Sequence, residues 1–314
     1  MQTDIVLLFP GQGSQKPGMG KDLADAFPAA KQVFDAADDA LGVKLSQLCF
    51  EGPADELTLT HNAQPALLAH GAAVWSCVRE RLGARVRAAA GHSLGEFTAY
   101  HAAGSLGLAE ALRLVRRRGE LMYESGVRRP GAMAAILGDL KEPVEALCAR
   151  ATAEAGLVSP ANYNCPGQLV ISGEEAGVER AMALAKEAGA KRAIRLNVSG
   201  AFHSALMESA LDGLSSAIAE TAFANPRFPV FANVNGEAVT AADRARQLLV
   251  QQLTSPVRWT DEITAMAARF PDALYVEMGP GSVLSGLVKK IAPSLKTMTC
   301  GTVAEVNQLL EQAA

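Results

Sequence analysis

Ser93 sits between glycines in Gly91-His92-Ser93-Leu94-Gly95. Gly-x-Ser-x-Gly between a strand and a helix builds a nucleophile elbow. Glycines on either side of the serine let two backbones approach where side chains would clash. The start of the following helix aims unpaired backbone N–H groups at negative charge forming near the hydroxyl. An idle serine in a tight turn is the plainer reading of the same five residues. A serine also needs a base, and the chain has five histidines. His92 is adjacent, but consecutive side chains on a tight turn diverge, so packing is its expected role. His61, His70 and His101 fall in expected helices. His203, in the short loop 199–204 between a strand and a helix, is the candidate base. Arg118 is the third chemical candidate. It lies on the shoulder of the apolar stripe Leu108, Leu112, Val115, Gly119 and Met122 of a helix over 108–125. A buried guanidinium there needs an anionic or multiply accepting partner; an arginine snorkelling to the surface is the alternative.

The elements that must position these residues alternate between strands and helices. Asp4–Phe9 reads as a buried strand that ends in the loop Pro10-Gly11-Gln12-Gly13-Ser14-Gln15. That loop fails both phosphate-binding patterns: Gly20-Lys21 is followed by Asp22, and a dinucleotide fingerprint from Gly11 meets Lys16 where it needs glycine. It is expected to donate backbone N–H groups at the sheet edge, or to be an ordinary turn. Ala84–Ala90 is the strand before the elbow, and 96–103 the helix after it. A helix from Thr60 to Leu82 carries Gln64 just before Pro65, a residue suited to a first helical turn, so Gln64 is either a cap or part of a site. Residues 126–197 read strand-helix-strand-strand-helix-strand, the ferredoxin-like plan, with the last strand at Ala193–Val198. The expected fold is α/β: a discontinuous α/β-hydrolase-like catalytic domain of 1–125 and 198–314, with a ferredoxin-like small domain inserted at 126–197. In the second part, Phe228–Val234, Ala273–Met278 and Leu295–Gly301 are the expected strands.

Composition narrows the function classes. The chain has 314 residues, 49% hydrophobic and 20% charged, with a net charge of −4. Nothing global points to nucleic acid or an anionic membrane. No apolar run approaches the ~18 residues of a membrane span, and no signal peptide is read at the N-terminus. Five scattered cysteines without metal-type spacing fit a reducing, cytoplasmic setting and no metal site.

Seven stretches together resemble malonyl-CoA:acyl carrier protein transacylases in order and spacing. They are Phe9-Pro10-Gly11-Gln12-Gly13-Ser14-Gln15, Gln64-Pro65-Ala66, Gly91–Glu96, Arg118-Gly119, Asn162-Tyr163-Asn164, Ala201-Phe202-His203 and Gly279-Pro280-Gly281. The resemblance covers essentially the whole chain and extends to the acyltransferase domains of polyketide synthases. It implies that Ser93 accepts the malonyl group and that His203 is its base. It implies an oxyanion hole from the backbone N–H groups of Gln12 and Leu94, and pairing of Arg118 with the malonyl carboxylate. It implies that the Gln252 backbone carbonyl, in place of a carboxylate, orients the histidine, which leaves the Gln252 side chain dispensable. Gln64, Met122, Asn162, Val198 and Phe202 are then pocket-lining, Phe202 leaving little room for an α-methyl branch. The implied enzyme serves fatty acid synthesis as a cytoplasmic monomer. It needs no cofactor, because malonyl-CoA and the holo acyl carrier protein, with its phosphopantetheine arm, are substrates. The acidic carrier calls for a local basic rim, with Arg116, Arg117, Lys191, Arg192, Lys289 and Lys290 as candidates. A serine hydrolase, a polyketide-pathway acyltransferase and a silent carrier-binding scaffold are the rival readings.

Overall fold

The computed structural model describes residues 3–198 and 200–312. The outermost residues of the expected larger domain, and Ser199 in the loop before His203, lie outside them. β1 (Ile5–Phe9) is a run of five buried apolar residues, as suits a strand covered on both faces. Burying each such side chain is worth about 1.5–3 kcal/mol. Helices α1 (Lys21–Ala26), α2 (Pro28–Leu41), α3 (Leu45–Glu51), α4 (Ala54–Thr58) and α5 (Thr60–Leu82) follow. β2 (Val86–Gly91) leads into α6 (Leu94–Ala102) and then α7 (Leu108–Arg128). Next come β3 (Ala132–Leu137), α8 (Val144–Glu154), β4 (Val158–Cys165), β5 (Gln168–Gly173), α9 (Glu175–Glu187) and β6 (Arg192–Arg195). The chain continues through a 3₁₀ segment, Ala205–Ala210, into α10 (Leu211–Glu220), β7 (Val230–Phe231), β8 (Ala238–Val239) and α11 (Ala242–Gln251). It ends with α12 (Trp259–Arg269), β9 (Leu274–Met278), α13 (Val283–Ile291), β10 (Lys296–Cys300) and α14 (Val303–Gln312).

Two sheets result. One has the order β10-β9-β1-β2-β7-β8, parallel except for the edge strand β8. The other is antiparallel with the order β4-β5-β3-β6. The sheets are also joined away from the two chain crossings. Val257 N–H donates to Ala161 O at 2.8 Å, Tyr163 N–H donates to Val257 O at 2.9 Å, and Thr260 Oγ1 donates to Tyr163 O at 3.0 Å.

Several sequence expectations change. Pro65 is not in the first turn of α5 but inside it. A proline there removes one N–H and leaves the carbonyl four residues earlier unpaired. That carbonyl, His61 O, accepts from Arg116 Nη1 at 3.0 Å. Arg116 also pairs with Glu120 and Asn62, so it is spent inside the fold and is not a rim residue. The strand expected at Phe228–Val234 shrinks to Val230–Phe231, because Asn233 gives its backbone and side chain to the elbow instead of to the sheet. The strand expected at Ala193–Val198 stops at Arg195, leaving Val198 in the returning segment.

Candidate active site

β1 and β2 pair in register, Phe9 opposite Gly91, so the loop after β1 lies beside the elbow. His92 N–H donates to Phe9 O at 3.0 Å. Ser93 then takes φ 53°, ψ −108°, a left-handed conformation that non-glycine residues adopt only where their surroundings enforce it. A Cβ at Gly91 would lie 1.9 Å from Gly95 C, and one at Gly95 would lie 2.1 Å from Phe9 O. Both obstacles are backbone and cannot step aside. Gly91→Ala and Gly95→Ala are therefore expected to cost about 3 kcal/mol or more, at the upper end of overpacking. Urea unfolding checks this; a loss under about 1 kcal/mol at either site would mean the elbow is pliable.

His203 also has a positive φ, 57°. Its Nε2 lies 2.8 Å from Ser93 Oγ, placed to accept the hydroxyl proton. On its other side Nδ1–H donates to two backbone carbonyls, Gln252 O at 3.0 Å and Ser255 O at 3.1 Å. These fix the tautomer as a carboxylate would, with less stabilisation of an imidazolium.

Arg118 is 1% exposed, so its head does not snorkel. Nη1 donates to Gln64 Oε1 at 2.7 Å, and Nη2 donates to Gln252 Oε1 at 2.9 Å and Ser93 Oγ at 3.1 Å. Gln64 is thus a buried partner of the guanidinium rather than a helix cap. The expectation of a dispensable Gln252 side chain is corrected here. Its Oε1 faces Arg118, and its Nε2 donates to Ser93 O, Glu96 Oε2 and Asn233 Oδ1 at 3.0, 2.7 and 3.3 Å. Gln252 lies behind the serine as a junction, not in the pocket wall.

In front of the serine is a cavity of about 300 Å³. Gln12, Gln64, Ser93, Leu94, Arg118, Met122, Asn162, Val198, Phe202 and His203 all line it, together with Met133, Leu196 and Asn197. The Gln12 and Leu94 backbone N–H groups donate to no other acceptor among the described residues. A nucleophile with a base, a fixed cation and two free donors around one apolar cleft suits acyl transfer of a carboxylated group.

The family model for the acyl transferase domain matches residues 6–307. A malonyl CoA-acyl carrier protein transacylase of Bacillus subtilis (strain 168) is 49% identical over 94% of this chain and 93% of its own. The chain belongs to the malonyl CoA-acyl carrier protein transacylase family. Among solved structures, an acyl-carrier-protein-S-malonyltransferase from Bartonella henselae is 44% identical, with a TM-score of 0.93 over 99% of both chains. A malonyl-transacylase solved in complex with its type II PKS acyl-carrier protein is 42% identical, with a TM-score of 0.93 over 98% of this chain and 99% of that one.

Beyond the motifs of this transacylase family, the structure adds residues that sequence reasoning missed. Asn233 Oδ1 accepts from Ser93 N–H at 2.7 Å, while its Nδ2 donates to Gly91 O and Glu262 Oε1. Glu96 and Glu262 are both fully buried. Burial raises the Glu96 carboxyl to about 7, against the pull of Gln252 and Asn233 hydrogen bonds and the Arg118 charge. Burial, with Glu96 nearby, lifts Glu262 well above the carboxylate range. His92 Nε2 lies 2.9 Å from Asn164 Oδ1, so the neighbouring histidine packs and hydrogen-bonds away from the serine. No group of three or more His, Cys, Asp or Glu side chains is placed to hold a metal among the described residues.

Burial first, then the Arg118 charge, brings the His203 imidazole down to about 3. A base works above its pKa, so a lowered value moves the acid limb of the rate downwards. At saturating malonyl-CoA, acylation of Ser93 is expected to hold its rate down to about pH 5. Rapid-quench rates across pH check this; an acid limb centred near the usual 6.5 would show that His203 titrates as if in water.

Proposed function

We propose that this chain transfers a malonyl group from malonyl-CoA to the phosphopantetheine thiol of an acyl carrier protein through an ester on Ser93. The observation that carries this reading is Arg118, sealed from solvent yet 3.1 Å from Ser93 Oγ. A planar fork held there suits the carboxylate of a malonyl group bidentately, and a hydrolase of neutral esters has no use for it.

In the first half-reaction His203 Nε2 takes the Ser93 proton as Oγ attacks the thioester carbonyl. The oxyanion is received by the Gln12 and Leu94 N–H groups, each such donor being worth ~3–4 kcal/mol in the transition state. Collapse expels the CoA sulfur, which takes the proton back from His203. In the second half the carrier thiol attacks the ester and gives its proton to His203; collapse expels Ser93 Oγ, which takes that proton back, leaving serine and imidazole as they began. Asn162, Met122, Val198 and Phe202 bound the acyl group, Phe202 against an α-methyl branch.

The architecture is read as an α/β-hydrolase-like unit, 1–125 and 198–314, interrupted by a ferredoxin-like unit, 126–197; the strand order β4-β5-β3-β6 supports the second. No helix among the described residues is long and apolar enough to cross a membrane, and the five cysteines are free. The proposed state is a cytoplasmic monomer that needs no cofactor, malonyl-CoA and the carrier's phosphopantetheine arm being substrates. Exposed Arg117, Lys191, Arg192, Lys289 and Lys290 are the proposed basic rim for the carrier. Fatty acid synthesis is the proposed setting; the neighbour with a type II PKS carrier makes polyketide extension the second.

Intact mass after brief exposure to malonyl-CoA tests the reading. A malonyl adduct on Ser93 that a holo carrier discharges is expected. Accumulating free malonate without discharge would make the chain a hydrolase, and no adduct at all would leave the scaffold reading. Comparing discharge by fatty-acid and polyketide carriers decides the setting.

A further inference from the structure

The two ends of the Gln252 amide are nearly equal in size and opposite in hydrogen bonding. Which end faces Arg118 is therefore decided by what holds the other. Oε1 must face the guanidinium, since a flipped amide would turn an NH₂ towards a cation and leave Nη2 with Ser93 Oγ alone. On the far side Nε2 meets three acceptors. Ser93 O is main chain and also accepts from Glu96 N–H. Asn233 Oδ1 is already taken by Ser93 N–H at 2.7 Å. Glu96 Oε2 makes the shortest of the three contacts, 2.7 Å, and is the only one that can carry charge. It also accepts the Asn233 backbone N–H at 3.1 Å, so the same oxygen holds the Gln252 side chain and the Asn233 main chain behind the elbow. Glu96 sits in the first turn of α6, three residues beyond the nucleophile. Glu96 does not itself line the cavity, and its carboxyl makes no hydrogen bond to Ser93 Oγ or His203 among the described residues.

We propose that Glu96 is a positioning residue for acyl-group selection: it pins the Gln252 amide with its oxygen towards Arg118, and so holds the guanidinium in the pose that receives a substrate carboxylate. The chain Glu96–Gln252–Arg118 runs from the base of the elbow to the acyl pocket and ends beside Ser93. Removing its first member leaves nucleophile, base and oxyanion donors in place but frees the amide to turn. An acyl group with no carboxylate makes no demand on Arg118 and is little affected. Glu96 thus acts on the choice between malonyl and acetyl rather than on the chemistry common to both.

The inference rests on the malonyl reading above, and the wild-type protein separates the two: failure of the wild type to load malonyl onto Ser93 sinks that reading, whatever the variants do. The test measures kcat and KM for malonyl-CoA and acetyl-CoA with holo carrier in Glu96→Leu and Glu96→Gln. Leucine offers no acceptor, and the malonyl-to-acetyl ratio of kcat/KM is expected to fall by about tenfold or more, with acetyl transfer within about threefold of wild type. Glutamine can offer its carbonyl oxygen to Gln252 Nε2, and the ratio is expected to return to within about threefold. Equal losses for both acyl groups in Glu96→Leu, or an unchanged ratio, overturn the proposal, as does Glu96→Gln losing selectivity as fully as leucine. Should Glu96→Leu not fold, Glu96→Asp decides. It keeps the carboxyl group but withdraws the acceptor by one methylene, so the ratio is expected to fall several-fold, and a ratio within about twofold of wild type overturns the proposal.

Discussion

Replacing His203 by alanine is expected to slow malonylation of Ser93 by about 10⁴-fold or more, the scale seen when one member of a nucleophile–base pair is removed. The reason is local. Among the described residues Ser93 Oγ has one proton acceptor, His203 Nε2 at 2.8 Å, and its other close partner, Arg118 Nη2, can only donate. Without the imidazole the hydroxyl has no place to leave its proton. Ser93→Ala removes the adduct altogether. Rapid-quench mass spectrometry reads both, and thermal melting shows whether the fold survives. The Gln252 and Ser255 carbonyls lose their donor in His203→Ala, a cost of about 1–3 kcal/mol each if they stay dry. Retained acylation within about tenfold of wild type would mean that another group takes the proton.

Arg118→Ala carries the second large effect, and it is selective. A bidentate pair with the substrate carboxylate supplies two charge-assisted hydrogen bonds, each typically ~1.5–3 kcal/mol. Their loss is expected to lower kcat/KM for malonyl-CoA by roughly 10²–10⁴-fold. Acetyl transfer is spared or rises, since the side chain that held the carboxylate becomes free space. Arg118→Lys is not expected to rescue: one ammonium cannot reach Gln64 Oε1, Gln252 Oε1 and a carboxylate in the fork geometry shown here. Steady-state kinetics with both donors decide it; parallel losses would make Arg118 a structural residue only.

What could be read from the sequence followed from signals with a short range. The elbow announces itself because two glycines, a serine and a helix start stand within five positions, and both glycines are sterically required. The strand-helix-strand-strand-helix-strand run at 132–195 is legible because each element has its own periodicity and turn residues. Arg118 stood out as a charge on an apolar shoulder, though the stripe alone could not say which way its head turned. Asn233 and the Gln252 side chain gave no such signal. A single amide in a loop has no period, and its value lies in partners 140 and 159 residues away. Glu96 was hidden by being ordinary: an acidic residue in a first helical turn is what the helix dipole favours, and nothing local says that this one is buried. Pro65 misled for a related reason. The preference of proline for a first turn is real, but here Arg116 takes the carbonyl that the ring leaves unpaired, and tertiary structure outweighs propensity.

The join at Val257 bears on how the cavity opens. A body attached to its neighbour by two side-by-side strands of chain can swing like a door on its hinges. The four-stranded sheet has those two crossings and a third attachment, the bonds between Ala161, Tyr163 and Val257, which opposes such a swing. The stretch that anchors it, 252–257, also supplies both carbonyls behind His203. The wall carrying Asn162 and the frame carrying the base are therefore braced against each other. An acyl group in the cavity meets two sides that share one support, so a change at 252–257 bears on the width of the gap and on the base together.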